Sequence, residues 1–530
     1  MSIADKIFLN GNIYTLTAEG QKVSALAVYD GKIVAIGSDE EIKAIPAKET
    51  VDLDGKTVLP GFINTHCHIS DFAENSRKIN LEKATSIQNV IDLLKEGLKH
   101  TAPGDWLNGF QLNLLTLDER RLPDRWELDR VSTEVPVFIS SICKHNFIVN
   151  SKALELAGIN RSFLGTPEGE FAEFDQSGEP TGRLKEHGLL KYFNAVMPPL
   201  LGNRQTKLDV LEESLLNYAA QGFTTVHSFN GFSHSDLEQP KFYQELDAQG
   251  RLPVRVILNN QLGTHRPDDI ISGFGSDKVK YGAVKFFADG SLIQWSAYLK
   301  ENYSDREGYR GILIHDEQEL YEGIKRAYED GNDIAVHVIG DGAVEAVLDI
   351  IERIYDPSKK QRFRLIHCTL TAPEQWERIA KYAVIIDTQP IFMPIVGPLG
   401  ELRLGAERAK HMLTIKSWLD RGIIVTGSDD SPICDNNPFV GIRFAVLRET
   451  AFDGEIVSPW ERISVYDAVK LYTVNAAYSS REQHVKGTVE EGKYADLIVL
   501  DRDIFNIPPK EISEIKVLEN YLGGNAVLGH

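Results

Sequence analysis

A chain of 530 residues, 42% hydrophobic and 25% charged, has the composition of a soluble globular protein with room for up to about three domains. Acidic residues outnumber basic ones 77 to 57, a net charge of −20, which excludes the basic footprint of a nucleic-acid or anionic-membrane binder. Four scattered cysteines with no Cys-x-x-Cys exclude a disulfide framework and a zinc ribbon and favour a reducing, cytoplasmic setting, and no apolar run reaches the roughly 18 residues of a membrane span.

From the N-terminus, MSIADKIFLNGNIYTL lacks the basic and apolar regions of a secretory signal and reads as two strands about an Asn10-Gly11 turn. SALAVYDGKIVAIGS and TVDLDG continue as strands, with turns at Asp30-Gly31 and Asp54-Gly55. Near the other end, GTVEEGKYADLIVLDRD carries the strand ADLIVLD. Domain termini often lie together, so residues 1–57 and 484–530 are expected to form one composite β-sandwich domain.

Residues 58–483 alternate short apolar runs with amphipathic helical stretches, the pattern of parallel βα units. The runs are 57–66, 223–229, 252–258, 281–287, 333–339, 363–367, 383–389 and 423–429. They predict an α/β fold, a distorted (β/α)₈ TIM barrel whose chemistry sits at the C-terminal strand ends. The first gap is far longer than a loop and predicts a large insertion at about residues 70–205.

The strand ends carry the chemistry. PGFINTHCH holds His66 and His68 one residue apart, but chance alone gives roughly 0.4 such pairs in a chain with 14 histidines. Alternation along a strand turns His66 and His68 to one face and Cys67 to the other. Lys285 in VKFFADGS, His337 in AVHVIGDG, His367 in RLIHC and Asp429 in VTGSDDSP fall at the same level of four further strands. Singly, each has an ordinary explanation: a histidine satisfied by one carbonyl, a snorkelling lysine, an aspartate in a turn. Six metal-capable residues aligned on five strands point instead to a metal centre. His227 also sits at a strand end, where a structural role is expected, and packing is expected for Cys67 and Cys368.

The segments PGFINTHCH, VPVFISSICKHNFIVNSKALELAGI, GEPTGRLKE, AVKFFADGS, VHVIGDGAV, GSDDSP and GTVEEGKYADLIVLD together resemble the amidohydrolase superfamily, in its YtcJ-like branch of metal-dependent hydrolases (the amidohydrolase 3 group). The resemblance implies that His66 and His68 bind the more buried metal and that His337 and His367 bind the second. Lys285, carboxylated by carbon dioxide, would bridge them, and Asp429 would bind metal and shuttle the proton. Zinc is expected, two per chain, with another divalent metal as the alternative.

The implied activity is hydrolysis of a non-peptide carbon–nitrogen bond in an N-acyl or N-formyl amide, a cyclic amide or an amidine, by metal-activated hydroxide. The alternatives are deamination, ester hydrolysis or isomerisation at the same site, or a non-catalytic scaffold, against which all six ligand positions stand intact. The partner expected is a small-molecule substrate, with neither nucleic acid nor membrane, and a homodimer is the ordinary oligomeric expectation. His145, Asp289 and Trp295 are expected to contact substrate. The sequence departs from the family at Asn64, where Asp is usual, at Ile366, where Glu is usual, and after ADGS, where Gln294 and Trp295 suggest an altered substrate preference.

Overall fold

A computed structural model describes residues 3–528 except 115, 142–145, 186–187, 230–235, 262–265, 268 and 452–453. The fold is mixed α/β, and its contacts divide into two compact units, Met1–Ser70 with Leu211–His530, and Asp71–Val210.

Two sheets in the first unit are built from the chain ends. Lys32–Gly37, Ala25–Tyr29, Ala4–Leu9 and Ala47–Asp52 form a four-stranded sheet in that order. A six-stranded sheet runs Asn525–Leu528, Val517–Leu522, Leu497–Leu500, Thr57–Pro60, Asn12–Tyr14, Lys22–Val23. Phe8, Leu26 and Val28 of the first sheet share one apolar cluster with Val58, Leu497, Val499 and Tyr521 of the second.

Among the described residues, nine parallel strands make up the rest of the sheet structure in this unit. They are β1 (Phe62–Cys67), β2 (Phe223–Phe229), β3 (Arg255–Asn259), β4 (Val279–Tyr281), β5 (Val284–Phe287), β6 (Ile334–Val338), β7 (Phe363–His367), β8 (Ile385–Thr388) and β9 (Val425–Gly427). They form two arcs, β4-β3-β2-β1 and β5-β6-β7-β8-β9. Backbone bonds also run between the arcs. Asp430 N–H donates to His66 O at 3.0 Å, His68 N–H to Ser431 O at 2.8 Å, and Lys285 N–H to Asn260 O at 3.5 Å.

Two of the predicted runs are each divided in the structure. The first breaks at Gly61, where a Cβ would come within 2.2 Å of the Thr224 side chain, so the chain leaves the terminal sheet at Pro60 and enters β1 at Phe62. The run 281–287 breaks at Gly282, where a Cβ would meet Asn259 Oδ1 at 2.4 Å. Helices cover the arcs through apolar stripes. In Glu317–Glu329 the buried residues Leu320, Ile324, Ala327 and Tyr328 recur at helical spacing, and Asp316 caps the first turn by accepting from Glu319 N–H at 2.8 Å.

The second unit has its own six-stranded sheet, in the order Ala172–Phe174, Pro180–Lys185, Asn146–Val149, Val137–Ser141, Leu107–Leu112, Ile79–Asn80. Helix Ile87–Leu98 lays Ile87, Val90, Ile91 and Leu94 into a core with Leu107, Val137 and Ile139. Among the described residues no helix is long and apolar enough to cross a membrane.

Candidate metal centre

β1 is buried along its whole length, and it delivers His66 and His68 almost without exposure. Their Nε2 atoms each lie 3.2 Å from Asp430 Oδ1. The three donor atoms fall within 4.8 Å of one another, yet among the described residues Asp430 Oδ1 has no hydrogen-bond partner, nor does His66 Nδ1. Three inward-facing donors that share no proton fit a cation, since a buried carboxylate oxygen left unmatched is costly. Asp430 reaches this place because its φ of 57° is left-handed, which turns the chain at the end of β9.

Neighbouring rings continue the cluster. The centroids of His66 and His367 are 5.3 Å apart, and those of His337 and His367 4.6 Å. Burial and the Lys285 charge hold the His66 pKa well below 6.5. Burial likewise depresses His367, with His337 and Lys285 adding to it, and brings His337 down to about 3. The imidazoles are therefore neutral at pH 7, the form that ligates metal. Lys285 is buried, its Nζ 5.0 Å from the Phe229 ring centroid and 4.8 Å from that of Phe287, and burial lowers its pKa to about 7.

Asp429, the aspartate singled out in the sequence, has other partners. Asn64 Nδ2 donates to its Oδ2, Ser431 N–H donates to its Oδ1 at 2.8 Å, and burial pushes its pKa up to about 8. The structure thus sets Asp430 on the two histidines and Asp429 on Asn64. Strict alternation in GSDDSP cannot distinguish the two, because the left-handed residue breaks it.

The remaining candidates separate. Asp289 is fully buried and accepts from the N–H groups of Tyr298, Ile339 and Gly340, each at 2.9 Å, which fixes the loop beyond β5 to the end of β6. Its Oδ1 lies 3.8 Å from His337 Nε2, while that nitrogen lies 3.0 Å from Gly290 O. Trp295 donates from Nε1 to Asp305 Oδ1 at 3.1 Å, and the Arg403 guanidinium stacks 3.7 Å above its ring. His145 lies outside the described residues. Cys67 and Cys368 are buried, and burial raises both thiols well above 9.0, away from nucleophilic use.

A buried carboxylate beneath the centre ties the ligand strands together. Asp387 Oδ1 accepts from Thr65 Oγ1 at 2.7 Å and from Ser428 Oγ at 3.0 Å, and Oδ2 accepts from the Arg364 guanidinium. Gln389, two residues on, faces His367 Nδ1 with Oε1 at 2.6 Å and donates from Nε2 to Ser428 Oγ at 2.8 Å. Accepting from Nδ1–H leaves the His367 Nε2 lone pair for a metal, the arrangement typical of metal-bound histidines.

A model of the amidohydrolase family matches residues 49–528. The chain belongs to that family. This amidohydrolase is similar to the putative amidohydrolase YtcJ of Bacillus subtilis (strain 168), at 33% identity over 98% of the chain and 99% of that protein. It is 28% identical to an N-substituted formamide deformylase of Arthrobacter pascens, over 98% of the chain and 97% of the relative. Among solved structures it resembles an uncharacterized metal-dependent hydrolase from Pyrococcus horikoshii OT3, with TM-score 0.77 and 26% identity over 95% of the chain and 99% of that structure.

Asp430, Asp387, Gln389 and Arg364 of the amidohydrolase enter the site only through the structure. For Asp430 the signal was the doubled Asp429-Asp430. Asp387 and Arg364 sit inside apolar runs, where their polarity marked them but nothing named their partners.

Proposed function

We propose that this amidohydrolase is a metal-dependent hydrolase of a non-peptide carbon–nitrogen bond, in an N-acyl or N-formyl amide, a cyclic amide or an amidine. The observation that carries the reading is Asp430 Oδ1, set 3.2 Å from two imidazole nitrogens with no proton shared among them. The similarity to a formamide deformylase and to metal-dependent hydrolase structures supports it. In this reading the two arcs belong to one distorted (β/α)₈ barrel, supported by the backbone bonds between them. The terminal sheets form a composite β-sandwich, supported by their shared core.

His66, His68 and Asp430 would hold one divalent cation, zinc by donor type. His337 and His367 would hold a second, with Lys285 between them as a carbamate. The carbamate forms when the neutral Nζ attacks carbon dioxide, a C–N bond is made and a proton leaves; burial of Lys285 supplies that neutral amine. Bound divalent metal supplies Lewis acidity, lowering the pKa of water to about 7 and polarising a substrate oxygen.

The chain's own groups do the rest. Asp429, raised to about 8 by burial, is half-ionised near pH 8; in its ionised form it takes a proton from the attacking water and passes it to the leaving nitrogen, while Asn64 Nδ2 and Ser431 N–H hold its carboxylate in place. Phe229, Phe287 and Phe392 lie against the rings of His66, His337 and His367, at 4.1, 5.4 and 5.9 Å between centroids, and keep bulk water from them.

The test is elemental analysis after reconstitution with zinc and bicarbonate, joined to a hydrolysis screen over amides, formamides, lactams, amidines and esters. Bound metal, with amide turnover lost in Asp429→Asn, is the expected result. Turnover confined to esters or to deamination assigns the site a different reaction. Absence of both metal and turnover makes the chain a scaffold.

A further inference from the structure

Alternation along β7 would put one of the metal ligands on the wrong face. Phe229 of β2 lies against His66, and Ile366 of β7 packs with Phe229, Ala283 and Ala335. Arg364, two residues before Ile366, meets His227, two residues before Phe229. Arg364 and Ile366 therefore point to the ligand side of β7, and an extended His367 would point away from it. His367 would then lie level with Val338, its partner in the parallel ladder and the outward neighbour of His337. Yet the His367 ring centroid is 4.6 Å from that of His337 and 5.3 Å from that of His66. Two consecutive left-handed residues make the difference, with φ 76° at His367 and 47° at Cys368. The break in the pleat carries the imidazole back among the other ligands.

This turn is held on every side. Cys368 N–H donates to Val338 O at 2.9 Å, so the ladder to β6 continues past the inverted residue, and Leu370 N–H donates to Ile339 O at 2.9 Å. Thr388 Oγ1 donates to His367 O at 3.0 Å, and Gln389 holds the ring at Nδ1. Left-handed backbone is costly for an L-residue and a true outlier for a β-branched one. Residues kept there by their surroundings gather at functional sites. Cys368 suits the turn, being unbranched at Cβ and small enough to be 0% exposed, with Sγ 4.0 Å from Leu365 O.

We propose that Cys368 is a positioning residue for the second metal: an unbranched residue in left-handed backbone at 368 keeps His367 facing His337. The inference rests on the two-metal reading above. A β-branched residue at 368 releases the turn toward extended backbone, and His367 then follows alternation outward. The second metal loses a ligand, while His66, His68 and Asp430 still hold the first.

Zinc per chain and the affinity of each ion, measured after reconstitution with bicarbonate, test this in the parent chain, Cys368→Ala, Cys368→Gly and Cys368→Val. Two ions are expected in the first three. Cys368→Val should keep one tight ion and bind the second roughly 10–100-fold more weakly. Two ions at parental affinity in Cys368→Val overturn the proposal. So does loss of the second ion in Cys368→Gly, because glycine takes left-handed backbone freely. A parent chain that holds only one ion overturns the two-metal reading instead, a failure seen without any variant. Melting of the chelated proteins tests the backbone requirement apart from metal. Cys368→Gly should melt above Cys368→Ala, whereas in extended backbone glycine melts below alanine. The extended order overturns the proposal, and this comparison decides should Cys368→Val not fold.

Discussion

Thr65, the residue before His66, donates its hydroxyl to Asp387 at 2.7 Å. Through this bond a carboxylate on β8 sets the strand that carries two ligands, and through Ser428 it sets the strand that leads into Asp429 and Asp430. Asp387→Asn removes the partner of a buried guanidinium, which costs about 3–5 kcal/mol. Metal affinity should fall by roughly 10–100-fold, as is usual when a group supporting metal ligands is lost. Urea unfolding of the chelated protein and zinc titration measure the two effects separately.

The neighbouring aspartates should come apart in their variants. Asp430→Asn should lose bound metal, because its Oδ1 faces both His66 and His68. Asp429→Asn should keep metal and lose roughly 10²–10⁴-fold in kcat, the usual worth of a positioned proton-transfer group. Metal per chain and kcat measured on the same preparations check both.

Lys285 gives a pH signature in the metal-free protein. Its folded pKa of about 7 lies below the 10.5 of a free lysine. Below pH 7 both states hold the proton and the folded state bears the full burial cost; between 7 and 10.5 the unfolded chain holds more protons, so stability rises with pH. Lys285→Met should therefore stabilise chelated protein near neutral pH, and the gain should fade toward pH 10.5. Urea midpoints across that range measure it. A gain independent of pH would contradict the argument.

Glu482 has the opposite sign. Burial raises its pKa, but ion pairs with Lys486 and Lys280, each at 2.7 Å, outweigh burial and hold it well below 4.5. The pairs contribute stability above pH 4.5 that is lost as pH falls below it. Glu482→Gln should be destabilised at neutral pH by about 3–5 kcal/mol, and its stability should converge with that of the parent chain in acid.

All eight apolar runs in the sequence overlap parallel strands, because burial on both faces leaves a continuous hydrophobic signature. His66, His68, His337 and His367 were legible for the same reason: polar residues stand out at the ends of such runs. The Asp430 contact was not legible, since it depends on a left-handed residue just past β9 that no alternation rule foresees. Asp387 and Arg364 were hidden differently. Their meaning lies in partners on other strands, and one sequence does not show which strands are neighbours. Trp295 stood out as an aromatic in a polar stretch, but its partners Asp305 and Arg403 come from separate segments.

The antiparallel pairing of Thr57–Pro60 with Leu497–Leu500 has a kinetic consequence. During synthesis the early strand leaves the ribosome long before its partner exists, and nearly the whole chain must emerge before that ladder can close. Until then Thr57–Pro60 presents an open apolar edge, the kind of surface that recruits foreign strands. An edge made early in synthesis is thus sealed only after Leu497–Leu500 has been made.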